Sequence, residues 1–284
     1  MNYANERELL QYLYPKSEIP KYKREVKEII NLKDEIEKTQ VIILAGGTGK
    51  RMGNPNLPKA LQVVAGKTLI DRCIEFYARC GLKNFILLTG FLHEEIEKHV
   101  GDGSKYGVNV KYCVDPPIKK VGKGKALKNA IQQGAIDLGK KAIVAYPDDV
   151  FLDESLPLKL IKSHCGLTKK GIAATIVCAK GIEYPYGVAL AYDDGEIIDE
   201  FLEKPIVAIP SAVGLCIIEP EVYKVIEEKV DMNEEEAVEL ESVVFPYLAK
   251  IKKLGRLEIE VGEWIAINTQ KELEIAEKLL QKKK

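Results

Sequence analysis

The chain carries almost no net charge: 42 lysines and arginines stand against 43 aspartates and glutamates, a balance of −1. A neutral chain has no broad counterion-releasing surface, which argues against bulk nucleic-acid binding and leaves room only for a local basic pocket. Its six cysteines, at 73, 80, 113, 165, 178 and 216, form no C-x-x-C pair, which argues against a zinc or redox motif. Most lie in apolar runs, where a free thiol behaves as a small hydrophobe. The 284 residues contain no apolar run long enough to span a bilayer, no signal-peptide core at the start and no internal repeat. The expectation is a cytoplasmic enzyme without a membrane or nucleic-acid partner. A composition of 46% hydrophobic and 30% charged residues is that of an ordinary soluble globular protein.

Residues 1–39 read differently from the rest. Val26, Ile29, Ile30, Leu32 and Ile36 recur near helical spacing among many charges, after a shorter helical stretch around "ERELLQYLY". This N-terminal helical extension (1–39) either covers the following domain (40–284) or contributes to a homo-oligomer contact. From Gln40 onward, strand and helix patterns alternate, which implies a parallel sheet with crossover helices. Strands are expected at 41–45, 84–90, 108–114, 141–149, 172–179, 212–218 and 257–261. Helices are expected at 68–81, 93–100, 124–139, after Pro220 and at the C-terminus. A hairpin is expected from 187–192 and 197–201 around Asp193-Asp194-Gly195. The acids at 234–241 read as a solvated helix start.

The stretch "VIILAGGTGKRMGNPNLPKAL" (41–61) suits a phosphate. A P-loop is excluded, because Leu44 stands five before Gly49 and Arg51 stands where Ser or Thr belongs. The dinucleotide fingerprint is excluded, because Met52 replaces its third glycine. The physical features remain. A strand ends at Ala45, and Gly46, Gly47 and Gly49 let the backbone turn tightly and approach a ligand. Backbone N–H groups in such a turn form an anion-binding nest, and Arg51 and Lys59 add full charges.

Leu44-Ala45-Gly46-Gly47-Thr48-Gly49-Lys50-Arg51 followed by Pro58-Lys59 resembles the opening motif of the sugar-phosphate nucleotidylyltransferases, roughly L-A-G-G-x-G-x-R and then P-K. The resemblance covers about residues 40–278. It implies an α/β fold: a Rossmann-like, mixed and mainly parallel sheet flanked by helices, with an added sugar-binding hairpin region. It also implies contacts from Leu44, Ala45, Gly46 and Gly47 to the nucleotide. Asp148, of Pro147-Asp148-Asp149, matches the family's first metal aspartate, with Asp149 a neighbour that caps the turn. Mg²⁺ takes oxygen ligands and shares one or two carboxylates with substrate phosphates, so this position suits it.

Further matches follow in order. "VGKGKAL" (121–127) resembles the loop that contacts base and ribose, and Gly122, Ala126 and Leu127 agree with it. Where the family often carries a base-reading Gln shortly before this loop, the chain has Asp115-Pro116-Pro117. Gly187 in "YPYGVA" resembles the glycine that lies against the sugar. Glu203-Lys204-Pro205 matches the motif in which Glu contacts sugar hydroxyls and Lys grips the sugar phosphate. "EWIAINT" (263–269) resembles W-x-D-x-G-T, but Ala266 replaces the second metal aspartate. Asn268 either substitutes for it as a ligand or caps the helix that starts near Gln270.

The implied reaction joins a nucleoside triphosphate to a sugar 1-phosphate, with Mg²⁺ as cofactor, giving a nucleoside-diphosphate sugar and pyrophosphate. Arg51 would stabilise the leaving pyrophosphate, Lys59 the α-phosphate and Lys204 the attacking phosphate. UTP or dTTP with glucose 1-phosphate leads, and GTP with mannose 1-phosphate follows. Transfer to a non-sugar phosphate, and a weakly catalytic regulatory homologue that binds nucleotide-sugar, are the alternatives; Ala266 is the support for the second.

Overall fold

Residues 41–44 read Val-Ile-Ile-Leu because both faces of the strand they form are covered, so the pattern is continuous rather than alternating. The computed structural model describes residues 31–49, 56–192 and 195–281. A seven-stranded sheet forms the centre, from β1 (Thr39–Leu44), β2 (Asn84–Thr89), β3 (Asn109–Val114), β4 (Lys141–Ala145), β5 (Ala174–Ala179), β6 (Ser211–Ile218) and β7 (Leu254–Ile259). Their order is β7-β5-β6-β4-β1-β2-β3. β6 alone runs antiparallel to its neighbours β4 and β5; the other pairings are parallel.

Val41 and Ile43 face one core, with α1 (Leu69–Ala78), α2 (His93–Val100) and α4 (Leu156–Thr168) packed on that side. Ile42 faces the other, with α3 (Gly122–Gln132), α5 (Pro220–Lys229) and α6 (Leu240–Lys250). A smaller cluster of Val64, Leu69, Val150, Ile267, Leu273 and Ala276 seats α7 (Gln270–Gln281) beside one end of the sheet.

Several expected boundaries move. The strand expected to run to 149 stops at Ala145, and Tyr146 O accepts the Asp149 N–H at 3.3 Å to close a turn there. The chain resumes as a separate short strand, Asp149–Phe151, paired with Trp264–Ala266. The expected hairpin forms, but its ladder pairs Val188–Leu190 with Glu200–Leu202, so 197–199 lie outside it. The helix expected over 124–139 ends at Gln132, and Gly134 (φ +67) turns the chain. Helix α4 had no counterpart among the expected helices, and α6 starts at Leu240, inside the 234–241 stretch that reads as a helix start, with no expected end.

Residues 31–37 are helical and lie on the domain, with Leu32 and Ile36 against the first core. Residues 1–30, the rest of the expected extension, lie outside the described residues. The contact is fastened by charge. Lys141 pairs with Glu35 at 2.5 Å and with Glu219 at 3.3 Å. Glu219 also meets Nε2 of His164 at 3.0 Å, and that fully buried ring reaches Thr175 Oγ1 at 2.8 Å through Nδ1. The His164 hydrogen bond holds the Glu219 carboxyl below the usual range. Burial pushes Glu35 up, but the Lys141 hydrogen bond and charge outweigh it and the net direction is down.

Carboxylates with lowered native pKa stabilise the fold above their unfolded value, here 4.5, and that stability disappears as pH falls below it. Lys141→Met leaves two partly buried carboxylates without their cation and should cost about 1–3 kcal/mol at neutral pH. Thermal melts of both proteins across this range check it. The gap between wild type and variant should narrow below pH 4.5; an unchanged gap would contradict the charge assignment.

Candidate active site

Three segments far apart in sequence meet at the carboxyl ends of β1 and β4, the edge of an open α/β sheet where ligands bind. The first is the turn after β1. Lys59 N–H donates to Gly47 O at 3.3 Å, closing the loop back on its start. Gly49 has φ +65, and a Cβ there would press on the Lys59 backbone at 3.3 Å. Lys59 opens a short 3₁₀ turn, Lys59–Leu61, and the burial of Ala60 and Leu61 anchors it. Arg51 lies among residues 50–55, outside the described residues.

The second segment is Asp148, in the turn after β4, and the third is Asn268, after the strand Trp264–Ala266. Lys59 Nζ donates to the Asp148 carboxylate and to Asn268 Oδ1, the latter at 2.9 Å. Lys59 and Asp148 side chains are 17% and 24% exposed, so the pair is shielded yet reachable. The backbone sets this meeting. Asp149–Phe151 pairs with Trp264–Ala266, Ile267 N–H donates to Asp148 O at 2.8 Å, and Val150 and Ile267 are buried together.

The structure separates Asn268 from the cap of α7. Thr269 Oγ1 accepts the Glu272 N–H at 3.3 Å, while the Glu272 carboxylate accepts the N–H groups of Asn268 and Thr269 at 2.7 and 2.9 Å. This is a reciprocal capping box. The helix end is thus served by Thr269 and Glu272, and the Asn268 side chain is left to Lys59.

Asp149 does not cap the turn with its side chain. Its carboxylate accepts from Trp264 Nε1 at 2.7 Å and lies under Gly214, where a Cβ would come within 2.2 Å of Oδ2. Burial, with the charge of Asp148 beside it, pushes this carboxyl up to about 8. Ala266 is paired with Asp149 across the short ladder and supplies no ligand atom.

The donor set fits Mg²⁺. Asp148 and Asn268 direct two oxygens at one cation, the Lys59 ammonium, and Mg²⁺ prefers such oxygens with further positions left for phosphates and water. Among the described residues no three His, Cys, Asp or Glu side chains gather to hold a metal by themselves.

The other expected residues lie elsewhere. Gly122 (φ +71) packs on Val238, whose carbonyl oxygen would sit 2.6 Å from a Cβ. The buried Lys125 donates to the carbonyls of Lys120 and Glu236 at 3.3 and 3.0 Å and to that of Glu234, tying this loop to the 234–238 segment. The acids there take lysines: Glu236 pairs with Lys120 and Glu241 with Lys123. Gly187 lies under the Phe201 ring, whose Cζ would be 2.3 Å from a Cβ. Glu203 and Lys204 are exposed, 3.9 Å apart, and Lys204 holds φ +48, a left-handed conformation uncommon for lysine. Neither is hydrogen-bonded to the Lys59 cluster among the described residues.

The nucleotidyl transferase family profile matches residues 40–282. The chain belongs to that family. The catalytic subunit beta of mannose-1-phosphate guanylyltransferase from Drosophila melanogaster is 29% identical over 243 residues, 82% of this chain and 60% of that protein. A UTP–glucose-1-phosphate uridylyltransferase from Synechocystis sp. is 28% identical over 199 residues, 64% of this chain and 50% of that protein. The chain thus spans less than two thirds of either relative. A crystal structure from Bacillus anthracis, assigned as a glucose-1-phosphate thymidylyltransferase, shares the fold of this transferase with a TM-score of 0.66 at 23% identity, over 85% of this chain and 94% of that one. Among the described residues of this transferase, no helix is long and apolar enough to cross a membrane.

Two substitutions separate cap from ligand. Thr269→Ala should cost about 1 kcal/mol of stability and leave the Mg²⁺ response unchanged. Asn268→Ala should barely move the melting temperature but raise the Mg²⁺ concentration needed for half-maximal rate. Melts and Mg²⁺ titrations on both variants check this; the opposite assignment of effects would return Asn268 to the cap.

Proposed function

We propose that this transferase joins a nucleoside triphosphate to a sugar 1-phosphate, releasing pyrophosphate. The observation that carries the reading is the convergence of Lys59, Asp148 and Asn268 beside the Gly46–Gly49 turn. An oxygen of the sugar phosphate attacks the α-phosphorus in line; the bond to the β-phosphate breaks and pyrophosphate leaves. Such transfers are carried by positioning and charge neutralisation. The glycine turn supplies backbone donors to the phosphates. Lys59 neutralises charge around the α-phosphate, and Arg51 stabilises the leaving pyrophosphate. Lys204 grips the attacking phosphate, and Glu203 takes sugar hydroxyls. Asp148 and Asn268 would hold Mg²⁺, which would supply charge neutralisation to the phosphates.

The sugar end has support in the exposed aromatic faces of Tyr186 and Phe201, which flank Gly187. For the base and sugar, UTP or dTTP with glucose 1-phosphate competes with GTP and mannose 1-phosphate. The relatives include both a guanylyltransferase and a uridylyltransferase and so support either pair. A regulatory homologue with weak turnover is the alternative that Ala266 supports.

Pyrophosphate should appear only when nucleotide, sugar phosphate and Mg²⁺ are all present, measured across a matrix of nucleotides and sugar 1-phosphates. Turnover that survives excess chelator would remove the metal, and binding of nucleotide-sugar without pyrophosphate release would favour the regulatory homologue. Within an active pair, Lys204→Ala should mainly raise KM for the sugar phosphate, while Arg51→Ala should mainly lower kcat, because one removes ground-state binding and the other a transition-state contact. The reverse pattern would exchange their roles.

A further inference from the structure

Lys59 holds both of the oxygens that suit a metal. Its ammonium donates to the Asp148 carboxylate and to Asn268 Oδ1, the latter at 2.9 Å. Asp149 turns its carboxylate to Trp264 Nε1, and Ala266 carries no ligand atom. Among the described residues, the ligand set is therefore one carboxylate and one neutral amide. A single ammonium cancels its whole charge.

A lysine ammonium and Mg²⁺ compete for such a pair, because both seek the same oxygen lone pairs. On the same two oxygens they would also stand close together, where a single and a double positive charge repel strongly. The Lys59 and Asp148 side chains are mostly shielded, so salt screens little of that repulsion. Mg²⁺ sheds its own water reluctantly, and a pair of ligands already neutralised gives it little reason to do so.

The glycine turn gives the ammonium a second place to go. Lys59 N–H is tied to Gly47 O, and Ala60 and Leu61 are buried behind it, so the root of the side chain is fixed. The stem runs beside the turn: a Cβ at Gly47 would meet Lys59 Cβ and Cδ at 3.8 Å. A flexible four-carbon stem that ends in three donors can swing without moving its backbone. Phosphates seated in the turn would lie within reach of that stem and present charged acceptors. The swing would leave Asp148 and Asn268 to a metal, with phosphate charge between the two cations.

We infer that Lys59 is the resident cation of this site: it keeps divalent metal off Asp148 and Asn268 until nucleotide phosphates draw its ammonium away. This rests on the proposed nucleotidyl transfer and adds to it a control on metal entry. Metal binding and nucleotide binding are thereby coupled, and the coupling acts equally in both directions.

The test is a titration of the full chain with Mn²⁺, which accepts the same oxygen ligands as Mg²⁺ and loses its free-ion paramagnetic resonance signal on binding. Wild type, Lys59→Met, Lys59→Gln and Lys59→Arg are compared without nucleotide, then with GTP or UTP, each against the nucleotide alone. Without nucleotide, wild type and Lys59→Arg should bind Mn²⁺ weakly. Lys59→Met and Lys59→Gln, which remove the charge, should bind it roughly 5- to 150-fold more tightly. Adding Asp148→Asn to Lys59→Met should abolish that gain. Nucleotide should strengthen Mn²⁺ binding in wild type and much less in Lys59→Met. If Lys59→Met and Lys59→Gln bind Mn²⁺ no better than wild type, while nucleotide still strengthens wild type, the resident-cation role is overturned and the transfer reading stands. A gain that survives in the double variant would put the metal elsewhere and also overturn the inference. Absence of Mn²⁺ binding in every protein, with or without nucleotide, would overturn the inference together with the metal-assisted transfer.

Discussion

Lys59 lies 89 residues from Asp148 and 209 from Asn268, yet its ammonium touches both. Holding a partly shielded cation between a carboxylate and an amide oxygen requires three separate chain segments to be fixed at once. Each is fixed by apolar packing rather than by the charges. Ala60 and Leu61 tie down the turn that carries Lys59, β4 carries Asp148 out of the core, and the cluster around Val150, Ile267 and Leu273 closes Asn268 against it. The short ladder between Asp149–Phe151 and Trp264–Ala266 sets the register. A one-residue slip there would turn every side chain of the strand to its other face.

The same arrangement explains the division of labour among neighbouring residues. Asp148 faces the cation while Asp149 faces inward to Trp264, because alternate residues at a strand start point to opposite sides. Thr269 and Glu272 satisfy the first turn of α7, which leaves Asn268 free of any helical duty. On the other flank, Gly46 and Gly90 yield space to Asp115. The glycine turn therefore lies between the Asp148 carboxylate at the end of β4, which holds Lys59, and the Asp115 carboxylate at the end of β3, to which no group among the described residues donates.

Much of the fold could be read from the chain because the central strands are buried on both faces and appear as unbroken apolar runs, as in Val41–Leu44 and Phe85–Leu88. One helix, α4, and the extent of another, α6, escaped for identifiable reasons. In α4 the buried stripe passes through Pro157 and His164, which breaks an apolar count although both residues are buried. In α6, Leu240, Val244 and Leu248 hold helical spacing, but Pro246 inside the helix reads as a breaker. Lys59, Asp148 and Asn268 could be named from motif order, whereas their mutual contact could not, because it depends on a short ladder between distant segments. The capping role of Thr269 was written in Thr269-Gln270-Lys271-Glu272, the S/T-x-x-E signature. The packing of Gly122 on Val238 had no local signal, since Val238 lies on a segment far along the chain.

If Lys59 is where charge is neutralised, its removal should damage turnover without damaging the fold. The direct measurement is the maximal rate of pyrophosphate release by Lys59→Met at saturating substrates and Mg²⁺, with melting temperature recorded on the same sample. Loss of one such preorganised group should lower kcat by about 100- to 1,000-fold while the melting temperature stays close to wild type. A rate within a few fold of wild type would contradict the charge role of Lys59 and, with it, the placement of the reaction at this cluster.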